Sequence, residues 1–325
     1  MSARRAVITG VAGQDGSYLA ELLLAEGYEV VGLDRQASLD GSPNLAGLRD
    51  SVELAAFELL DHAGTRAALL TARADEIYHL AAPTFVPDSW DDPTQTMAAI
   101  AGGTATVLAA ALIAPERPRV WVAASSEVFG DAGEHPQHEN SLMRPRSPYG
   151  VAKLAALGLI RTMREHHGLF AATGIPYNHE SPRRPPHFLP RKVTRGAAAI
   201  KLGQASEIVL GDLGAVRDWS DARDVVRAAW LALQAPDPSD YVIASGVGRT
   251  VRDLVQVALS AAGVAGVIDD HVRVDPAFVR PPEPTPLVGD PARAREHLGW
   301  QQQVSFEQMI GEMVDADLAE LSADA

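Results

Sequence analysis

A short apolar run, Ala6-Val7-Ile8, leads directly into Gly10-Val11-Ala12-Gly13-Gln14-Asp15-Gly16, after which Leu19, Leu22 and Leu23 recur at helical spacing. Strand, glycine turn and helix in that order restrict the fold more than any other feature of the chain. Gly10 permits a tight exit from the strand, Gly13 lets the backbone approach a phosphate, and Gly16 lets the helix pack on the sheet. Free N–H groups and the positive end of the helix dipole then face an anion, so the unit reads as a cradle for a dinucleotide pyrophosphate. Gly27 stops the helix as a left-handed cap, and Tyr28 to Leu33 reads as the next parallel strand. Alone, such a turn joins any strand to any helix, and the reading needs a second feature.

That feature is Tyr149-Gly150-Val151-Ala152-Lys153. Ser147 and Pro148 read as the N-cap and first residue of a helix, which puts Tyr149 and Lys153 one turn apart on one face. A free phenol titrates near about 10. A neighbouring ammonium and a positive nicotinamide ring would stabilise the phenolate so that it works as a base near neutrality. Tyr-x-x-x-Lys is common by chance; here it shares the chain with the glycine turn and follows Ala123-Ala124-Ser125-Ser126-Glu127. Those residues end a strand, where open α/β sheets bind their ligands. Hydroxyls at Ser125 and Ser126 suit a substrate oxygen. Glu127 has no part in plain hydride transfer and implies a proton moved elsewhere on the substrate.

Strand candidates at 6–8, 29–33, 52–57, 76–80, 119–123 and 169–174 alternate with helix candidates at 16–26, 64–72, 96–114 and 149–167. This is the rhythm of a Rossmann-like, doubly wound parallel sheet. After residue 175 the texture becomes rich in proline and arginine, with Pro182, Pro185, Pro186 and Pro190 expected to break regular structure. The expectation is a dinucleotide-binding domain at 1–174, a return segment near 215–245, and a smaller mixed α/β substrate lobe from 175–214 and 246–325. Helices are expected at 224–234, 251–262 and 305–321, and a strand at 241–243.

Composition narrows the partners. A net charge of −14 disfavours nucleic acid and anionic membranes, so an anionic ligand needs a local basic cluster, found around Arg183, Arg184, Arg191, Lys192 and Arg195. With no cysteine there is no disulfide, thiolate zinc site or cysteine nucleophile. His135/His138 and His166/His167 lack partners in a ligand pattern, and no metal is expected. No apolar run approaches bilayer-crossing length and no signal-peptide core precedes the first strand, so the expectation is a cytoplasmic protein.

The chain resembles the extended short-chain dehydrogenase/reductases that modify nucleotide sugars and, within them, the GDP-mannose 4,6-dehydratase family. The likeness rests on residues 9–21, 144–150, Asn178-His179-Glu180-Ser181-Pro182-Arg183-Arg184, Arg217-Asp218-Trp219 and Gly289-Asp290. It implies an internal redox cycle. Tyr149 takes the proton of the sugar 4-hydroxyl as C4 is oxidised; Glu127 removes the C5 proton and helps the C6 hydroxyl leave; the hydrogen from C4 returns to C6. Ser125 stands where the family usually has Thr, and Lys153 lowers the tyrosine pKa. The resemblance implies NADP held at Gly10, Gly13, Gln14, Asp15 and Gly16, at Asp34, Arg35 and Asp61, at Leu80 and Ala82, and at Tyr149, Lys153, His179 and Arg184. It implies a nucleotide-diphosphate sugar, GDP-linked, at Thr84, Ser126, Asn178, Lys192, Arg217, Arg280 and Glu283. Rival readings on the same scaffold are a 4-epimerase, a 4-keto reductase, a dehydratase for another nucleotide hexose, or a cofactor-binding protein without turnover. Glu127 separates the first two, which need no C5 base.

Four stretches depart from the family pattern; in one, the usual Asp-Leu after the third strand is blurred to Leu59-Leu60-Asp61, which weakens the expected adenine contact. Asp34 would accept a ribose 2′-hydroxyl and repel a 2′-phosphate, which argues for NAD, whereas Arg35 and Ser38 suit NADP. The short loop after the second strand removes a segment that helps build tetramers in the family, which implies a homodimer. Residues 82–89 keep only part of the expected pattern, with Pro87 and Asp88 placed to reshape the sugar pocket, and Pro185-Pro186-His187 replaces smaller residues next to the expected base pocket.

Overall fold

The computed structural model describes residues 3–278 and 285–323. Seven strands form the main sheet: β1 (Arg5–Thr9), β2 (Glu29–Asp34), β3 (Glu53–Ala56), β4 (Glu76–His79), β5 (Arg119–Ala123), β6 (Ala171–Pro176) and, later in the chain, β10 (Asp240–Ile243). Their order is β10-β6-β5-β4-β1-β2-β3 and every pairing is parallel. The central strands are buried along almost their whole length, because helices cover both faces of the sheet. The strand order reverses between β1 and β4, the point where open α/β sheets carry their ligand crevice, at the carboxyl ends.

The helices on this sheet are α1 (Gln14–Ala25), α2 (Gln36–Gly41), α3 (His62–Ala72), α4 (Asp88–Asp91), α5 (Pro93–Met97), α6 (Gly103–Ile113), α7 (Pro148–His167) and, after the crossing, α9 (Ala222–Gln234). Leu19 and Leu23 of α1 are fully buried with Val225 and Ala229 of α9, each leucine contributing about 2 kcal/mol of burial. Caps set the ends as the sequence predicts. Ser147 Oγ accepts the Gly150 N–H at 3.0 Å and Gly27 takes φ of +80° beyond α1; Gly168, not singled out in the sequence, does the same beyond α7 at +59°.

A second core joins α8 (Leu189–Lys201), α10 (Val251–Ala261) and α12 (Phe306–Ala323) to β8 (Ile208–Leu210) and β9 (Val216–Asp221). There Trp219 stacks on Phe306 with centroids 5.8 Å apart. β9 also carries β7 (Asn178–Glu180) on one side and β11 (Gly248–Thr250) on the other, while β12 (Val272–Val274) pairs with β8.

Four expectations change. Pro190 does not break regular structure: it lies in the first turn of α8, where a missing N–H costs nothing. The return to the main sheet begins at α9, since 216–221 belongs to the small sheet. Residues after 246 also reach the main core, because α11 (Ala292–Leu298) brings in Ala294 and Trp300, whose indole N–H donates to the Asp224 carbonyl at 2.8 Å. Finally, one stretch does meet the length and hydropathy of a membrane span. Residues Pro93–Ile113 form one continuous helix through α5 and α6 with mean hydropathy 1.8, the bonding widening by one residue over Ala98–Gly102, and 56% of the apolar stretch is buried inside the protein. Its apolar residues face α3 and α7 rather than forming an uninterrupted run in the sequence.

Candidate active site

β1 ends at Thr9, and Gly10 turns the chain at φ +80°, so close to the loop after β4 that a Cβ would stand 2.9 Å from the Ala81 nitrogen. A Cβ on Gly16 would lie 2.6 Å from Val11 Cα and run into the Gly10 carbonyl. Gly13 is the N-cap of α1 and no side chain caps that helix. The turn therefore has the bare backbone and uncapped dipole that a pyrophosphate needs, and the residues fit a dinucleotide. Asp34 closes β2 with its carboxylate anchored: Oδ2 accepts the Ala12 N–H at 3.0 Å and Oδ1 the Arg35 N–H at 2.8 Å. Arg35 is exposed. Asp61 is engaged as the N-cap of α3, accepting the Gly64 N–H at 3.0 Å. Leu80 donates its N–H to the Thr9 carbonyl, Ala82 is half-buried, and Thr84 is exposed.

At the carboxyl end of β5 the chain enters a short turn, Ser126–Val128, in which the Glu127 N–H donates to Ser125 Oγ at 3.3 Å. Ser126 is buried. Gly150 presses α7 onto this turn: a Cβ there would stand 2.6 Å from the Glu127 carbonyl oxygen. Tyr149 is thereby held against Ser125 and Glu127. Burial pushes its phenol up to about 12; the Ser125 hydrogen bond works the other way, Glu127 adds to the rise, and Arg184 opposes it. The expected lowering by Lys153 is thus not the dominant effect in the protein alone. Lys153 is itself buried, its Nζ 5.7 Å from the Tyr149 ring centre and donating to the Ala123 carbonyl at 2.7 Å. Burial lowers its pKa to about 8, against the pull of Asp15. His79, at the end of β4, went unremarked in the sequence. Burial and the Lys153 charge lower it to about 3, so it stays neutral beside the ammonium, its Nδ1 2.8 Å from Thr9 Oγ1. Its signal was its place at a strand's carboxyl end.

The two most specific sequence runs turn out to be one structural unit. The Gln14 amide donates to the His179 carbonyl and its oxygen accepts from Ser181 Oγ, while His179 Nε2 lies 2.8 Å from Asp15 Oδ2. Burial acts to raise the Asp15 carboxyl, but His179, Gln14 and Arg184 outweigh it and lower it; burial acts to lower His179, and Asp15 outweighs that. Gln14 and Asp15 thus tie β7 to the glycine turn. Glu180, fully buried, faces Arg184 at 3.1 Å without hydrogen-bond alignment, and burial raises its pKa.

The basic cluster is mostly neutralised. Arg183 pairs with Glu21 at 2.5 Å and covers the Tyr18 ring, Arg184 pairs with Glu180, Arg191 with Asp317 at 2.7 Å, and Arg195 with Glu320 at 2.6 Å. Arg183 thus ties the chain after β7 to α1, and Arg191 and Arg195 tie α8 to α12, which corrects the reading of these four arginines as free anion ligands. Lys192 lies with Nζ 4.6 Å from the Phe278 ring centre, Asn178 is half-buried on β7, and Arg217 on β9 donates to the Val216 carbonyl. Arg280 and Glu283 lie outside the described residues. Among the described residues no three His, Asp or Glu side chains are grouped to hold a metal.

The family model for GDP-mannose 4,6 dehydratase matches residues 7–313. GDP-mannose 4,6-dehydratase of Vibrio cholerae is 38% identical over 349 residues, covering 97% of this chain and 94% of that protein. GDP-mannose 4,6 dehydratase 2 of Caenorhabditis elegans is 39% identical, covering 98% and 90%. Among solved structures, the UDP-glucose 4-epimerase of Thermus thermophilus in complex with NAD superposes with a TM-score of 0.82 at 27% identity, covering 96% of this chain and 98% of that one. The sheet order, the glycine turn and the full-length match lead to one conclusion: the chain belongs to the GDP-mannose 4,6-dehydratase family.

Proposed function

We propose that the protein is a nucleotide-sugar 4,6-dehydratase that converts GDP-mannose to GDP-4-keto-6-deoxymannose. The observation that carries the reading is Glu127 clustered with Ser125 and Tyr149 at the carboxyl end of β5, since a carboxylate beside the redox base is what a C5 proton transfer needs. When bound, the nicotinamide supplies the reversible redox step, taking the C4 hydrogen and returning it at C6. Tyr149 receives the O4 proton, with the Ser125 hydroxyl donating to the developing phenolate. Glu127 takes the C5 proton and gives it to the departing C6 hydroxyl, which leaves as water. C5 then regains a proton, balancing the one left on Tyr149. Because His79 stays neutral, Lys153 is the single cation of that pair.

The main-sheet half carries the cofactor and the second core the nucleotide, with Asn178, Lys192 and Arg217 toward the diphosphate and ribose. The family resemblance implies NADP. The anchored Asp34 carboxylate supports NAD instead, because a 2′-phosphate would meet a like charge there. We read the assembly as a homodimer in the cytoplasm, a reading that rests on the short loop after β2. The test is to identify the co-purifying cofactor by mass and incubate the protein with GDP-mannose. A product lighter by one water is expected; recovery of unchanged GDP-mannose from cofactor-loaded protein refutes the reading.

A further inference from the structure

Two stretches beside the site, residues 82–89 and Pro185–His187, touch each other. Phe85, in the loop after β4, meets His187 edge to face with ring centres 4.9 Å apart and Phe188 edge to face at 5.4 Å. His187 and Phe188 are 4.5 Å apart, and the Arg184 guanidinium lies 3.7 Å from the Phe188 ring centre, held from behind by Glu180. The rings come from opposite sides of the crevice: one from the carboxyl end of the main sheet, two from the entry to α8 in the second core. They also border the reactive centre. Ala82 and Val86, flanking Phe85 in its loop, pack against the buried cluster containing Tyr149, and the Arg184 charge reaches the Tyr149 phenol.

We propose that Phe85, His187 and Phe188 form an aromatic clasp that closes the hexose site across the crevice and keeps the 4-keto sugar bound until the cycle is complete. The proposal rests on the dehydratase reading. In the first half of that reaction the C4 hydrogen and its two electrons pass to the oxidised nicotinamide and the O4 proton to Tyr149. A GDP-4-keto-mannose that leaves at this point carries no electrons back, and the reaction itself supplies no second oxidant to restore the cofactor. Each escape therefore stops one site, so retention is a requirement of the chemistry. Edge-to-face rings bridging two separately anchored segments are suited to it: they exclude water and part without breaking an ion pair.

Phe85→Ala and His187→Ala are the variants to make, the second because His187 is exposed and its loss leaves both cores intact. Cofactor-loaded enzyme is mixed with excess GDP-mannose, and reduced nicotinamide absorbance and product mass are followed together. The expected result is at least about tenfold more reduced cofactor per dehydrated product than in the unmodified protein, with free GDP-4-keto-mannose in solution and a raised KM. Phe85→Tyr, which keeps the ring, restores retention. Folded variants that yield only the deoxy-keto product with no excess of reduced cofactor overturn the clasp. Failure of the dehydratase reading shows separately, as absence of water loss in the unmodified protein, and takes the clasp with it.

Discussion

Lys153 offers the sharpest quantitative test. Its ammonium is almost wholly buried and its pKa falls from 10.5 to about 8. A tenfold change in an acid constant is about 1.4 kcal/mol, so carrying the charge into the fold costs about 3 kcal/mol at neutral pH. Lys153→Met keeps the length and apolar stem but removes the charge, and also the 2.7 Å bond to the Ala123 carbonyl, whose loss costs about 1 kcal/mol. The variant should therefore be about 2 kcal/mol more stable than the natural protein at about pH 7. The sign with pH follows from the depressed value. Between about pH 8 and 10.5 the unfolded lysine binds more protons than the folded one, so the natural protein gains stability as pH rises, about 2 kcal/mol by about pH 9.5. Tyr149, raised from 10.0 to about 12, opposes this only above its unfolded value. Groups shared by both proteins cancel in the difference. Thermal unfolding of cofactor-free protein should show the variant higher by about 4 °C at about pH 7, taking roughly 2 °C per kcal/mol, and level with the natural protein by about pH 9.5. A Tm difference that is the same at both pH values would refute the reasoning. The stabilised variant should also lose at least about a hundredfold in turnover.

Three further outcomes follow from the geometry. Glu127→Gln should still permit C4 oxidation, seen as nicotinamide reduction on adding GDP-mannose, while water loss falls by about a hundredfold or more; normal deoxy-keto product sinks the assigned proton transfer. Gly16→Ala forces a Cβ into the Gly10 carbonyl, so the helix must move off the sheet at a cost of about 3 kcal/mol, and the purified variant should carry little cofactor by mass. Asp34→Ser removes the carboxylate from the end of β2 and should shift binding toward NADP by about tenfold relative to NAD; calorimetry with the two cofactors giving an unchanged ratio removes Asp34 as the selector.

Local pattern was enough for the first half of the fold. Apolar runs followed by a glycine turn or a capping serine carry their own start and stop signals, so β1 to β6 and helices α1, α3 and α7 were readable to within a few residues. The second half was harder because its signals conflict locally. A proline that opens α8 looks like a helix breaker until the rest of the helix is seen, and short strands such as β7, β8 and β12 have too few residues to show a period.

What the sequence determined by itself was chemistry that depends on neighbours along the chain: the phosphate cradle, the Tyr149–Lys153 pair one turn apart, and the acid and hydroxyl at the end of β5. Only the tertiary structure decided which charges are free to act. Arg183, Arg191 and Arg195 look like anion ligands in one dimension, but their partners Glu21, Asp317 and Glu320 arrive from distant helices. The same holds for Gln14 and Asp15, which grip His179 of β7, and for Phe85 and His187, which find each other across the crevice. The physical reason is common to all of them. Burial and charge pairing depend on distance in space, and the sequence specifies distance only along the chain.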